Sequence, residues 1–337
     1  MALSTKPLGR TGLPLTMLGF GGTALGNMYT AMSEREANAT LDAAYAGGIR
    51  YFDTAPLYGH GLSELRTGSG LRSFADPAVI LSTKVGWRLR PAFGAPTNAG
   101  LFQNITAFSR YNDYSYDGVL HSFEESLHRL GIERADILLI HDVDRRNQGE
   151  RFPEVFRTAM DGAYKALLSL REQKLIRAIG CGLNEWEACE AFAQAGDFDC
   201  FLLAGRYTLL HQESLESFLP LCEQRGIGII LGGPYNSGIL ASGAVSNAWL
   251  HYEPAPRAVL EKVAAIEAVC ARYGVALKAV ALQFPLHHPC VATVIPGMRS
   301  PAEIADNIAM LHTPIPVDLW RELKDSGLID RAAPTPA

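Results

Sequence analysis

The chain has 337 residues, 48% of them hydrophobic, which is enough for one large core or two of ordinary size. Its 30 basic and 35 acidic residues are dispersed and leave a net charge of −5, which excludes the basic footprint of a nucleic-acid binder and the cationic patch of a membrane-surface protein. The first twelve residues are polar, no stretch approaches the ~20 continuous apolar residues of a membrane span, and none of the six cysteines forms a C-x-x-C pair, so buried free thiols in a reducing, cytoplasmic setting are expected.

Residues 6–18 read as a hairpin turning at Arg10-Thr11-Gly12. Short β-branched or aliphatic runs then predict strands at 17–20, 49–52, 79–83, 137–140, 177–181, 200–203, 228–231 and 291–295. Helical patterns lie between them. Ser33-Glu34-Arg35-Glu36 is a capping box, followed by apolar Ala37, Leu41, Ala44 and Tyr45 and stopped by Gly47-Gly48. Val119, Leu120, Phe123, Leu127 and Leu130 repeat at helical spacing and end at Gly131. Further helices fit 154–172, 185–195, 213–224, 257–272 and 301–310. Eight strands each followed by a helix predict an α/β fold, a closed (β/α)8 TIM barrel with an N-terminal hairpin cap, in one domain spanning 1–337. Residues 86–115, rich in Phe, Tyr, Asn and Pro, are too long for an ordinary strand-to-helix loop and are expected to overhang the barrel mouth. The Ala/Pro-rich tail 331–337 is expected to be mobile.

Barrel enzymes place their chemistry at the C-terminal strand ends. By that test Asp53, Lys84 and His141 follow the second, third and fourth strands, and Tyr58 stands on the same loop as Asp53. The set suits hydride transfer coupled to proton transfer. A tyrosine near pKa 10 is a poor base, and an adjacent ammonium favours its phenolate by roughly 1–3 pKa units. Asp53 is placed to hold Lys84, and His141 to orient a substrate oxygen.

The run Tyr51-Phe52-Asp53-Thr54-Ala55-Pro56-Leu57-Tyr58-Gly59-His60-Gly61-Leu62-Ser63-Glu64 closely resembles the aldo-keto reductase signature. Ser82-Thr83-Lys84-Val85-Gly86, the segment Asp136 to His141, Ile295-Pro296-Gly297 with Asp306-Asn307, and the opening Leu8-Gly9-Arg10-Thr11-Gly12-Leu13 resemble the rest of the family pattern, in order and over nearly the whole chain. The resemblance implies a tetrad of Asp53, Tyr58, Lys84 and His141, no metal, a nicotinamide cofactor across the barrel mouth and a small-molecule substrate. It leaves the oligomeric state open. Three positions depart from the pattern. Gly182-Leu183-Asn184 lacks the usual serine before its Asn184, Ala204 or a neighbour stands where glutamine is usual, and Gly232-Gly233-Pro234 puts glycine where an aromatic commonly stacks, with Tyr235 open as a substitute. Expected cofactor contacts are Gly22, Asn184, Gly233, Pro234, Gly297, Arg299, Glu303 and Asn307; expected substrate contacts are Tyr29, Trp87 and His141. Pro7-Leu8-Gly9-Arg10-Thr11-Gly12 and Ala24-Leu25-Gly26-Asn27-Met28-Tyr29 resemble the branch of sugar 1-dehydrogenases (L-fucose or D-threo-aldose, and L-galactose) and pyridoxal 4-dehydrogenase. That branch implies oxidation of a cyclic aldose at C1 to its lactone, with pyridoxal or another aldehyde as alternative. NAD is expected over NADP, because Gly297 and Glu303 stand where basic residues would grip a 2′-phosphate.

Three rival readings compete. Gly19-Phe20-Gly21-Gly22-Thr23-Ala24 fits a G-x-G-x-x-A dinucleotide fingerprint, but the next helix start, Ser33, comes about eleven residues too late. His287-His288, with Asp142 and Asp144 near His141, suggests a metal hydrolase, yet vicinal helical histidines point ~100° apart and lie before the eighth strand, at the wrong barrel end. A non-catalytic nicotinamide-binding protein is the third, and the intact Asp53/Tyr58/Lys84/His141 set argues against it.

Overall fold

The computed structural model describes residues 3–94 and 96–336. The eight apolar runs become the strands Phe20–Gly21, Tyr51–Asp53, Ile80–Val85, Ile137–His141, Ala178–Leu183, Cys200–Ala204, Gly228–Gly232 and Val291–Ile295. Each pairs in parallel with the next in chain order. The eighth returns to the first through parallel bridges Leu18↔Val294 and Gly21↔Gly297, and the Gly19 N–H donates to the Val294 carbonyl at 2.9 Å. The sheet therefore closes as a (β/α)8 barrel, and its strands are buried on both faces, as near-continuous apolar runs require.

Two apolar layers follow from the alternation of side chains along each strand. One fills the barrel: Tyr51, Ile80, Ile137, Leu139, Leu202 and Ile230 point inward with Leu8, Leu13 and Leu15 of the N-terminal hairpin. That hairpin, Thr5–Pro7 against Pro14–Thr16, plugs the bottom, and Lys6 Nζ donates to the Leu286 and Val291 carbonyls at 2.5 and 3.3 Å. The other layer, with Phe20, Phe52, Ile140, Ile179, Phe201 and Ile229, packs outward against the helices.

Local chemistry sets most helix boundaries. Glu34–Ala46 opens with the capping box: Ser33 Oγ accepts from the Glu36 N–H at 3.3 Å, and the Ser33 N–H donates to Glu36 Oε2 at 2.7 Å. Tyr116–Leu130 ends where Gly131 takes a left-handed conformation. The long pattern at 154–172 is a single run from Phe152 to Glu172 interrupted by a π-helical turn at Ala159–Ala163.

Four elements differ from expectation. Leu62–Phe74 is a helix whose Gly68 and Gly70 weaken its periodicity. The glycines are there for contact: a Cβ on Gly68 would stand 2.0 Å from the Leu130 carbonyl oxygen. Gly68→Ala should therefore cost about 1–3 kcal/mol by overpacking, despite alanine's better helix propensity, as read from urea unfolding. The helices Leu277–Gln283 and Val317–Asp325 are also additions to the expected set. The insertion at 86–115 is a β-hairpin, Trp87–Pro91 against Phe108–Asn112. Its connecting segment reaches the barrel mouth, where Met28 bridges Phe102 and the Tyr29 N–H donates to the Leu101 carbonyl at 2.7 Å. Within the tail, Ala333 is fully buried and its N–H donates to the Asp330 carbonyl at 3.1 Å.

Candidate active site

Three neighbouring strand ends deliver the ionisable groups to one place. Asp53 ends the second strand and His141 the fourth; Lys84 is the last but one residue of the third, inside the strand rather than after it. Lys84 Nζ lies 2.7 Å from Asp53 Oδ2 and donates to the Thr54 carbonyl at 2.9 Å. Asp53 Oδ1 accepts from Ser82 Oγ at 2.7 Å. Glycine makes the room: a Cβ on Gly182 would stand 3.2 Å from Lys84 Cε. The loop after Asp53 is fixed by the same signature run. Ser63 Oγ donates to the Gly22 carbonyl at 2.7 Å, and buried Glu64 accepts from Thr83 Oγ1 and Arg129 Nε at 2.7 and 2.6 Å. Tyr58 rides on this braced loop, its ring centroid 4.6 Å from Lys84 Nζ and edge-on to His141 at 5.8 Å.

The electrostatics correct one expectation. Burial pushes the Tyr58 phenol well above its ordinary pKa, and the carboxylates of Asp53 and Asp142 push it further. Burial also raises the Asp53 carboxyl, against the pull of Lys84 and Ser82. His141 is driven well below its ordinary value, first by burial and then by Lys84 and Arg110, so its imidazole is neutral. Its buried Nδ1 has no protein partner, and Nε2 lies 3.5 Å from Asp142 Oδ1.

Asp142 is a member of this site that the sequence reading had placed only in a rival scheme. It occupies the left-handed region (φ 58°) and accepts from Trp87 Nε1 at 3.0 Å and Asn147 Nδ2 at 3.3 Å. Burial first, then Asp144, pushes its carboxyl up to about 7. A carboxyl whose folded value exceeds its unfolded one keeps a proton that the unfolded chain has lost. Stability therefore falls as pH rises from about 4 to about 7, by on the order of 4 kcal/mol once the folded group ionises. Asp142→Asn should accordingly gain in melting temperature over the parent at pH 8 and show little gain at pH 4. Equal gains at both would place the ionisation elsewhere.

Beside Tyr58 opens a cavity of about 490 Å3, within the usual size for a ligand site. Gly21, Thr23, Ala24, Ala204, Gly205, Gly232, Gly233 and Gly297 line it with little or no side chain. Asn184, Pro234, Arg299, Glu303 and Asn307 line it as expected for cofactor contacts, and Tyr29 as expected for substrate. Tyr235 also lines it and donates to Asn307 Oδ1 at 2.5 Å. Asn236 there has a buried Oδ1 without a partner. A cavity of this size walled largely by glycine and alanine, with an orphaned acceptor and a fixed carboxylate in its wall, fits a nicotinamide dinucleotide.

Two of the expected contacts lie outside the cavity lining. Gly22 does not line the cavity: its N–H donates to the Asp53 carbonyl at 2.8 Å and its carbonyl takes Ser63, so it braces the loop behind. Trp87 does not line it either, since its indole N–H is on Asp142 and Arg110 covers its ring at 4.6 Å. His141, also outside the lining, lies buried beside Tyr58. Arg146, Arg206, His251 and Tyr252, which do line it, were not anticipated. His251 and Tyr252 form the two-residue turn of a hairpin, Trp249–Leu250 against Glu253–Pro254, with φ of 51° and 71°. Such turns are signalled by Asn or Gly, and neither stands there. At the opposite barrel end, Glu223, His288 and Cys290 gather their polar atoms within 4.8 Å, far from these groups. Among the described residues no helix is long and apolar enough to cross a membrane.

Comparison with known proteins agrees with this geometry. Residues 17–327 match the model of the Aldo/keto reductase family. The chain is 40% identical to pyridoxal 4-dehydrogenase of Microbacterium luteolum, over 97% of this chain and 98% of that one. It is 36% identical to D-threo-aldose 1-dehydrogenase of a Pseudomonas species, over 99% of each. Among solved structures it resembles the holo form of an aldo-keto reductase from Bacillus halodurans, with a TM-score of 0.77 and 23% identity over 98% of both chains.

Proposed function

This chain belongs to the aldo/keto reductase family of oxidoreductases, and we propose that it is an NAD-dependent dehydrogenase that oxidises a cyclic hemiacetal carbon to a lactone, with an aldose of the L-fucose or D-threo type as the first substrate. The observation that carries the reading is the braced Asp53–Lys84 pair beneath Tyr58, with neutral His141 beside it, at the edge of a backbone-floored cavity.

In this reading the nicotinamide supplies the two-electron acceptor that takes the hydride from the anomeric carbon. The protein supplies the rest. Tyr58 Oη takes the proton of the anomeric hydroxyl. His141, neutral, hydrogen-bonds that oxygen without competing for the proton. Lys84, held by Asp53, keeps a positive charge under the ring as the phenol ionises. Asn184, Gly233, Pro234, Gly297, Arg299, Glu303 and Asn307 would hold the cofactor, and Tyr29 and Tyr252 would face the substrate.

Two relatives support a hemiacetal as the shared chemistry. One acts on an aldose and the other on pyridoxal, and both compounds close on themselves as cyclic hemiacetals. Pyridoxal is the second reading, favoured by the higher identity of that relative. The test is NADH formation from NAD+ with aldoses, uronic acids and pyridoxal. A pyridoxal kcat/KM above that of every aldose would replace the first reading with the second. Tight NAD+ binding without turnover of any member would favour a non-catalytic nicotinamide-binding protein.

A further inference from the structure

Half-buried arginines packed beneath the barrel helices are matched with carboxylates. Arg66 pairs with Glu34, Arg88 with Glu125, Arg129 with Glu64 and Arg171 with Asp199. Three arginines on the cavity wall, Arg146, Arg206 and Arg299, are not, and the first two converge on one residue. Arg206 follows the sixth strand across Gly205, and Arg146 lies in the short helix Arg145–Gln148 after the fourth. Among the described residues no carboxylate lies within ion-pair distance of either guanidinium.

Both reach the same residue. Arg206 Nη1 lies 2.8 Å from His251 Nδ1, and Arg146 Nη2 donates to the His251 carbonyl at 2.9 Å. His251 offers no charge in return. Burial, then Arg206, lowers its pKa to about 3, so it is a neutral acceptor, its ring tilted 38° against that of His211 with centroids 4.8 Å apart. Three acids act on Arg206 from beyond ion-pair distance: Glu185 accepts the backbone N–H groups of Arg145 and Arg146 at 2.8 and 3.1 Å, Glu213 lies 3.7 Å from His211 Nδ1, and Glu187 is the third. The Arg206 guanidinium is partly desolvated with no carboxylate in direct contact, which is unfavourable unless an anion arrives to complete it, and the exposed Arg146 adds a second positive charge beside it. Its planar fork suits an oxyanion, and the cavity it faces is where ligands enter.

We propose that Arg206 and Arg146, gathered at His251, form an oxyanion subsite of the cavity that takes a carboxylate or phosphate group. The group has two sources, an acidic substituent of the substrate or the diphosphate of the cofactor. If it belongs to the substrate, the compound oxidised is an acidic cyclic hemiacetal, such as a uronic acid or a sugar phosphate. That narrower form rests on the hemiacetal reading above; the subsite itself does not.

Inorganic phosphate is the probe, used on the full chain with no turnover required. Phosphate should raise the melting temperature of the parent protein in a concentration-dependent way. Arg206→Gln should weaken its apparent binding about ten- to a hundredfold, and Arg206→Lys less. Fluorescence titration with NAD+ then separates the sources. If phosphate competes with NAD+, and Arg206→Gln weakens NAD+ itself, the subsite holds the cofactor diphosphate. If phosphate further stabilises the NAD+-saturated protein, the subsite belongs to the substrate. Should Arg206→Gln not fold, Arg146→Gln gives the same readout. Phosphate stabilisation that is absent, or identical in parent and variants, overturns the proposal.

Discussion

Tyr58→Phe is expected to lower turnover by about 10²–10⁴-fold while leaving NAD+ affinity unchanged. The range is what a positioned acid or base contributes. The substitution removes one oxygen and keeps the ring that lines the cavity over Lys84. Lys84→Met should lose activity similarly, and it should also destabilise the protein by about 3–5 kcal/mol, because Asp53 would stay buried without its ammonium. The pair thus separates chemistry from architecture: one variant is inactive but stable, the other inactive and weakened. The pH profile gives a further check. Burial, Asp53 and Asp142 all hold the Tyr58 phenol above its ordinary value, so oxidation should accelerate as pH rises through the neutral range. Reduction, which needs the protonated phenol, should not. Near-parental turnover in Tyr58→Phe would falsify the assignment and return attention to Asp142, the other buried acid at this strand end.

The charged strand ends of the candidate site were legible because each ionisable residue stands at the end of a buried strand run. Phe52-Asp53, Thr83-Lys84 and Ile140-His141 are abrupt changes from core to charge, and the barrel turns that register into convergence. The Ser33 cap was legible because its partners are three residues apart and need nothing distant. Other features needed tertiary information. The helix Leu62–Phe74 hides behind Gly68 and Gly70, which exist for the approach of Leu130 and Leu41 rather than for helix formation. The turn at His251-Tyr252 carries φ above zero on two bulky residues, against local preference. Packing onto Arg206, Arg146, His211 and Ser237 holds it, and those partners lie well away in sequence. Trp87 illustrates the reverse failure. An aromatic beside a strand end invites a substrate role, but the carboxylate of Asp142 has claimed its N–H.

Cofactor choice should show an NAD+ preference of about 5–150-fold in kcat/KM over NADP+. The argument turns on Glu303, which lines the cavity in the first turn of the helix Pro301–His312. Ser300 Oγ accepts from its backbone N–H at 3.2 Å, and its own Oε2 accepts from the Arg299 N–H at 2.9 Å. A carboxylate anchored in this way favours the positive end of the helix, which alone would justify its presence. It also stays where a ribose would lie. It accepts a hydrogen bond from a free 2′-hydroxyl, and it repels a 2′-phosphate of about two negative charges by roughly 1–3 kcal/mol at a partly exposed site. The neighbouring cations decide how much of that repulsion survives. Lys278, which also lines the cavity, is paired with Asp306 and so is largely cancelled. Arg299 is the one that opposes Glu303, because it also lines the cavity and its backbone N–H is held by the Glu303 carboxylate. Glu303→Arg should therefore move the ratio toward NADP+, and Glu303→Gln part of the way, since it removes charge without adding any. Arg299→Gln should move it the other way. If all three variants leave the ratio unmoved, the ribose does not lie between these residues, and the 2′ position is read by some other part of the wall.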